Sequence, residues 1–122
     1  MSNTTPNSKS IGDAAEFKAV GFLRSKKVKI IDTNFHSKLG ELDIVAQEES
    51  TLCFIEVKYR KNSFFRQPYE AVSKSKQKKI IRTAEFYLQK HPAFSKHPCR
   101  FDIISIVKDD ITWIKNAFDT SS

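Results

Sequence analysis

Two neighbouring stretches decide how this chain folds: Gly40-Glu41-Leu42-Asp43-Ile44-Val45-Ala46 and Leu52-Cys53-Phe54-Ile55-Glu56-Val57-Lys58-Tyr59-Arg60. Between them lies the polar break Gln47-Glu48-Glu49-Ser50. Short apolar runs flanking a polar turn read as two antiparallel strands. Yet the runs carry Glu41, Asp43, Glu56 and Lys58. Charges taken out of water are costly unless they are paired or bind a metal.

Side chains alternate along a strand, so Glu41, Asp43 and Val45 share one face, as do Leu52, Phe54, Glu56 and Lys58. An even-numbered loop centred on Glu49-Ser50 pairs position 47 with 52, 45 with 54, 43 with 56 and 41 with 58. That register opposes Asp43 to Glu56 and Glu41 to Lys58. Opposed Cβ atoms lie about 5 Å apart, where two bare carboxylates repel. A divalent cation between them resolves the conflict, and oxygen-only ligands suit Mg²⁺ or Mn²⁺ better than zinc. Lys58, on the same face, can approach a phosphate oxygen or the attacking water, which completes a set of groups for phosphodiester hydrolysis. A hydrated sheet face explains the same four charges without chemistry. Against that, Val45, Leu52 and Phe54 share the charged face, and strands apolar on both sides are covered on both sides. Alternation alone leaves both readings open.

Working outward, residues 1–9 are polar and read as a disordered N-terminal tail, with residues 119–122 as a C-terminal tail and 10–118 as a single domain. Ser10 is the expected cap of a first helix reaching about Lys26, with Ile11, Ala15, Ala19 and Phe22 on its buried side and Leu23 widening it. Glu16 lies on its flank, where an exposed surface glutamate is the simplest reading. Val28 to Phe35 reads as the first strand. Asn62 to Gln67, with Phe64, Phe65 and Arg66, forms a basic aromatic loop closed by Pro68 that either stacks on bases or folds over the core. Ser73 caps a second helix to about Lys90, with Ile80, Ile81, Ala84, Tyr87 and Leu88 as its apolar stripe. Arg100 to Val107 is a fourth strand, and Ile111 to Phe118 a short fifth.

The chain has 122 residues, one domain by size, and 21 Lys and Arg against 14 Asp and Glu, a net charge of +7. That balance favours a polyanionic partner, with nucleic acid ahead of an anionic membrane. Two cysteines make no disulfide framework, and no apolar run approaches the roughly 20 residues that span a bilayer. Together with the absence of a signal-peptide core, this points to a cytoplasmic protein without a membrane partner. His91, His97 and Cys99 match no common zinc spacing, and no glycine-rich phosphate loop is present.

The wider pattern is more specific than Glu-x-Lys alone. Gly12-x-x-Ala15-Glu16, Asn34, Gly40-Glu41-Leu42-Asp43-Ile44, Phe54-Ile55-Glu56-Val57-Lys58-Tyr59-Arg60, Glu70-Ala71-Val72 with Lys76, and Arg100-Phe101-Asp102 together resemble the YraN-like family. These are small bacterial proteins with a restriction-endonuclease-like fold related to archaeal Holliday junction resolvases. The resemblance spans about residues 10–118. It implies an α/β fold with a restriction-endonuclease-like core, α-β-β-β-α-β, whose central mixed sheet is flanked by helices. It implies that Asp43 and Glu56, with the backbone carbonyl of Val57, bind Mg²⁺ or Mn²⁺. Lys58 then orients the water and stabilises phosphate charge, Glu16 approaches the same site, and Lys76 contacts the scissile phosphate. Glu41 fits the family's pattern without an evident role. The departures, Arg66-Gln67 before Pro68 and Lys27 ahead of the first strand, fall in loops.

The expected activity is Mg²⁺-dependent hydrolysis of DNA, branched or structured, by a homodimer suited to the two symmetric cuts of a junction. The residues expected to grip nucleic acid are Lys74, Lys78 and Lys79 on the second helix, Arg60 ending the third strand, and Arg66 in the aromatic loop. Two other classes remain: a non-catalytic nucleic-acid-binding module of the same fold, and a protein-interaction subunit with a basic surface. A module that only binds has no need of an acidic cluster inside a basic surface.

Overall fold

A computed structural model describes residues 8–61 and 72–120, with side chains from residue 11 onward. Phe64, Phe65, Arg66 and the Glu70-Ala71 pair lie outside the described residues. The elements are α1 (Ser8–Ser25), β1 (Lys29–His36), β2 (Glu41–Glu48), β3 (Thr51–Arg60), α2 (Lys74–Lys90), β4 (Cys99–Val107) and β5 (Asp110–Phe118), with a 3₁₀ turn over Pro92–Phe94. The strands form one mixed sheet in the order β1-β2-β3-β4-β5. Only the β3–β4 pair is parallel, because α2 carries the chain between those two strands. None of the described helices is long and apolar enough to cross a membrane.

The central strands are apolar on both faces, and a helix covers each. On one face α1 lays Ala15, Ala19 and Leu23 against Ile44, Ala46, Cys53, Ile55, Ile104 and Ile106. These three α1 positions are four apart, a straight stripe along the helix. Ile11 and Phe22, expected on that stripe, are only half-buried. On the other face α2 packs Ile80, Ala84 and Tyr87 against Val45, Leu52, Phe54, Phe101 and Ile103. Its hidden stripe includes Thr83 where the sequence pattern suggests Ile81. Thr83 tolerates full burial because its Oγ1 donates to the Lys79 carbonyl at 2.7 Å.

Local chemistry accounts for the element boundaries. Ser73 caps α2 by accepting from the Lys76 N–H at 3.2 Å. His91 closes the same helix, its Nδ1 meeting the Tyr87 carbonyl at 2.8 Å. The helix α1 begins at Ser8, two residues before the expected cap at Ser10, which is therefore inside the helix. β2 and β3 join through the two-residue turn Glu49-Ser50, with Glu49 at φ 55°. The observed register, Gln47↔Leu52 and Val45↔Phe54, is the one that alternation predicts.

Gly40 starts β2 where the backbone must pass close to α2. Its φ is +154°, and a Cβ there would lie 2.8 Å from Thr83 Oγ1 and 3.2 Å from Lys79 Cγ. Thr83 is fully buried and hydrogen-bonded, so it has nowhere to retreat. Gly40→Ala is expected to destabilise the fold by about 1–3 kcal/mol, measured by urea unfolding. A loss near zero would mean that the β2 entry relaxes freely.

Candidate functional site

The β2–β3 hairpin is regular from its turn as far as Ile44↔Ile55, the last registered pair. One step further, where strict pairing would oppose Asp43 to Glu56 and then Glu41 to Lys58, the strands separate. The Val57 N–H, instead of meeting a backbone acceptor on β2, donates to Asp43 Oδ2 at 2.8 Å. A side-chain carboxylate has replaced the ladder. β1 contributes to the divergence. Asn34, opposite this point, is in the left-handed region at φ 54°, and the β1–β2 register slips between Ile30 and Asp32.

This opening corrects one expectation. Glu41 does not face Lys58: it pairs across β1 with His36, 3.7 Å from Nδ1, and both side chains are exposed. Leu42 likewise joins the α2-side core although its neighbours Ile44 and Ala46 pack under α1. The strict two-residue alternation therefore fails at the end of the strand where the ladder ends.

What assembles in the opening is nearly the expected set. Glu56 on β3 is buried, 7 % exposed, and it is contacted by two cations. Lys76 Nζ, from the first turn of α2, lies 2.8 Å from its Oε2, and Lys58 Nζ lies 3.8 Å from the same oxygen. Among the described residues, no cation makes such direct contact with Asp43. Burial first and the charge of Glu56 second push its pKa up to about 7, against the weaker pull of the Val57 N–H. Glu16 reaches the same cleft from α1, close enough to raise Asp43 further. Its own pKa is raised by burial and by Asp13, with His36 opposing.

The two lysines differ. Burial and then the charge of Lys76 lower the pKa of Lys58. Lys76 is also penalised by burial, but its hydrogen bond and attraction to Glu56 outweigh the penalty and leave it raised. Lys58 is thus the readier of the two to exchange a proton, and Lys76 the more secure positive charge.

In the sequence Asn34 belongs to the family-like pattern, with no role of its own. In the fold its Nδ2 donates to Glu16 Oε1 at 2.7 Å, which fixes the carboxylate over the cleft. Asparagine suits that position because it tolerates left-handed backbone and carries a donor. Strand periodicity gave no signal of this, since the contact joins β1 to α1.

Two hollows meet at Asp43. One, about 400 Å³, lies under the α2 N-terminus and is lined by Glu56, Ser73, Ser75, Lys76 and Lys79 besides Asp43 and Glu41. The other, about 560 Å³, lies on the α1 side with Glu16, Asn34, His36, Val57 and Tyr59. Of the basic residues expected to grip nucleic acid, Lys79 lines the first hollow, Lys74 and Lys78 are exposed on α2 outside it, and Arg60 is half-buried. Arg66 lies outside the described residues.

The donor set fits a hard divalent ion. No group of three or more His, Cys, Asp or Glu side chains among the described residues forms a ready-made metal cage. Two carboxylates, a nearby backbone carbonyl and solvent match the partly hydrated binding that Mg²⁺ prefers. Burial first, and the neighbouring charge of Glu56 second, hold the Asp43 carboxyl above its ordinary range, with Lys76 pulling the other way.

Asp102, part of the same sequence pattern, belongs elsewhere. It is fully buried and bound by Arg100 Nε at 3.0 and 3.1 Å, Trp113 Nε1 at 2.9 Å and the Asn116 N–H at 2.9 Å. Arg100 also binds Glu48 at 2.6 Å, so this network ties β4 to β5 and to the end of β2.

A family model described as "Uncharacterised protein family UPF0102" matches residues 15–106, a span that holds the cleft and, of the second network, Glu48, Arg100 and Asp102. The chain is 45% identical over 109 residues to a UPF0102 protein of Francisella tularensis subsp. novicida (strain U112), covering 88% of this chain and 93% of the relative. It is 46% identical over 110 residues to a UPF0102 protein of Coxiella burnetii (strain RSA 493 / Nine Mile phase I), covering 89% and 92% respectively.

Proposed function

The chain belongs to protein family UPF0102, the YraN-like proteins, and from its acidic cleft we propose that it is a Mg²⁺- or Mn²⁺-dependent endonuclease. It hydrolyses phosphodiester bonds in DNA, branched or structured, on a restriction-endonuclease-like core. The observation that carries this reading is the break in the β2–β3 ladder. It gathers Asp43, Glu56, Lys58 and Lys76 at one point of a chain with a net charge of +7. Asp43 supports the reading further, since burial and the charge of Glu56 hold its carboxyl above the ordinary range.

Asp43, Glu56 and the Val57 carbonyl would hold the ion, which supplies Lewis-acid charge for the phosphate and lowers the pKa of water. The chain's own groups do the rest. Lys58, its pKa lowered by burial and by Lys76, hydrogen-bonds and orients the attacking water. Lys76, at the start of α2, offers a fixed positive charge to a phosphate oxygen, aided by the positive end of the helix. Glu16, steadied by Asn34, orients water on the α1 side. Lys79 and the exposed Lys74 and Lys78 hold the flanking backbone. A junction presents two equivalent scissile phosphates, so the working form is a dimer.

The test is cleavage of labelled Holliday junction, flap and single-stranded DNA with Mg²⁺ or Mn²⁺, comparing the native chain with Asp43→Ala and Glu56→Ala. Cutting by the native chain and loss in both variants is expected. Cutting that neither substitution changes would place the chemistry elsewhere. Salt-sensitive junction binding without any cutting would make the protein a binding module.

A further inference from the structure

We propose that the hollow between the β1–β2 turn and the C-terminal half of α2 holds one unpaired nucleobase of the nucleic acid beside the cut, which names the substrate class and rests on the nuclease reading. This hollow measures about 670 Å³, and Phe35, Leu39 and Phe86 form its apolar floor, with Lys38, Lys90 and His91 at its rim. The nuclease chemistry uses none of these six.

Three observations point to a base. The first is the floor. The Phe35 and Phe86 rings are 6.3 Å apart and inclined at 42°, so they do not close on one another, and Leu39 is 45% exposed. Phe35 and Phe86 are half-buried, and their exposed parts together with Leu39 offer an apolar platform on which a flat heterocycle stacks whatever its sequence. The second is the charge. None of the described residues lining the hollow is acidic, and Lys38 and Lys90 are both exposed. Lys90 Nζ lies over the Phe86 ring, 5.4 Å from its centroid, which holds a cation beside the hollow, where it can turn to a phosphate. The third is continuity. His36 lines both this hollow and the one containing Glu16 and Asp43, and that hollow shares Asp43 and Glu41 with the one under Lys76. The three hollows thus adjoin one another around the Ser37–Gly40 turn through shared lining residues, with acidic residues and lysines in the middle and aromatics at one end.

A base inside a duplex has its faces covered by its neighbours and cannot enter an apolar hollow. An unpaired base can, at little cost. The hollow therefore selects a strand that is single-stranded on one side of the scissile phosphate.

The test is metal-free binding of a short single-stranded oligodeoxynucleotide carrying 2-aminopurine, against the same strand made abasic and against a duplex. Fluorescence quenching on binding is expected, together with about tenfold tighter binding of the base-bearing strand than of the abasic one. Leu39→Glu, at an exposed position, should abolish both the quenching and that preference while leaving duplex affinity within about twofold. Phe86→Ala should do the same, with its fold checked by thermal unfolding. Equal affinity for abasic and base-bearing strands would overturn the proposal. So would a Leu39→Glu variant that loses self-association in light scattering and keeps the quenching, since the hollow would then be an interface between copies. Quenching without any cleavage sinks the nuclease reading and spares this one; cleavage without quenching does the reverse.

Discussion

Asp43→Asn is expected to abolish metal-dependent cleavage, by about a thousandfold or more, and at the same time to make the metal-free protein more stable at neutral pH. The second effect follows from the Asp43 pKa, pushed up from 3.8 to about 7, chiefly by burial and then by Glu56. In the unfolded chain this carboxyl ionises near its ordinary value. Between about pH 4 and pH 7 the folded protein therefore binds more protons than the unfolded one, and stability falls as pH rises through that window. The carboxylate is accommodated least well above pH 7.

Each pKa unit corresponds to about 1.4 kcal/mol, so the expected span is about 2–4 kcal/mol. Asparagine has nearly the same shape and can still accept from the Val57 N–H, but carries no charge. Urea unfolding without divalent ions should give the native protein a falling stability from about pH 4 to about pH 7, and the Asn variant a flat one. Adding Mn²⁺ should raise the stability of the native protein and leave the variant unmoved. A flat profile for the native protein would mean that Asp43 is not crowded, and would remove the main argument for a cation in the cleft.

The second large effect lies outside the cleft. Asp102→Ala is expected to cost about 3–5 kcal/mol, because it strands the Arg100 guanidinium with Glu48 as its remaining carboxylate and leaves the Trp113 and Asn116 N–H groups without their acceptor. Arg100 is only 18% exposed, so water cannot fully replace what is lost. Its pKa is raised: burial pulls it down, and the hydrogen bonds of Asp102 and Glu48 more than compensate. For a domain of this size the loss corresponds to a fall in Tm of about 10–20 °C. Whatever fraction remains folded should keep its cleavage rate, since Asp102 touches neither Glu56 nor either lysine. A loss below about 1 kcal/mol would show that the β4–β5 pairing holds without the network.

These two aspartates look alike in the sequence. Each stands among apolar strand residues, and each belongs to the same family-like pattern. Their surroundings separate them. Asp102 is saturated with donors from its own and the neighbouring strand, whereas Asp43, among the described residues, accepts the Val57 N–H and feels the charges of Glu56 and Glu16. Donors are supplied by elements distant in sequence, so no local pattern distinguishes a carboxylate that is satisfied from one that is not.

Much was nonetheless determined by the sequence alone. The element order, the Ser73 cap and the β2–β3 register follow from periodicity of two or of about four, and from turn and capping chemistry within a few residues. Such interactions are local, and each residue type carries them wherever it stands. The residues of the cleft were named from the sequence, but with Lys58 opposed to Glu41 and Lys76 given a phosphate contact; that both lysines turn to Glu56 came from the fold. Only the tertiary structure decided where the ladder stops, that Glu41 turns to His36, that Asn34 holds Glu16, and that the adjoining hollows reach Phe35 and Phe86. Each depends on α1, β1 and α2 arriving at the same place. The break that makes the site arises because the Asp43 side chain, and not a backbone carbonyl, is there to take the Val57 hydrogen.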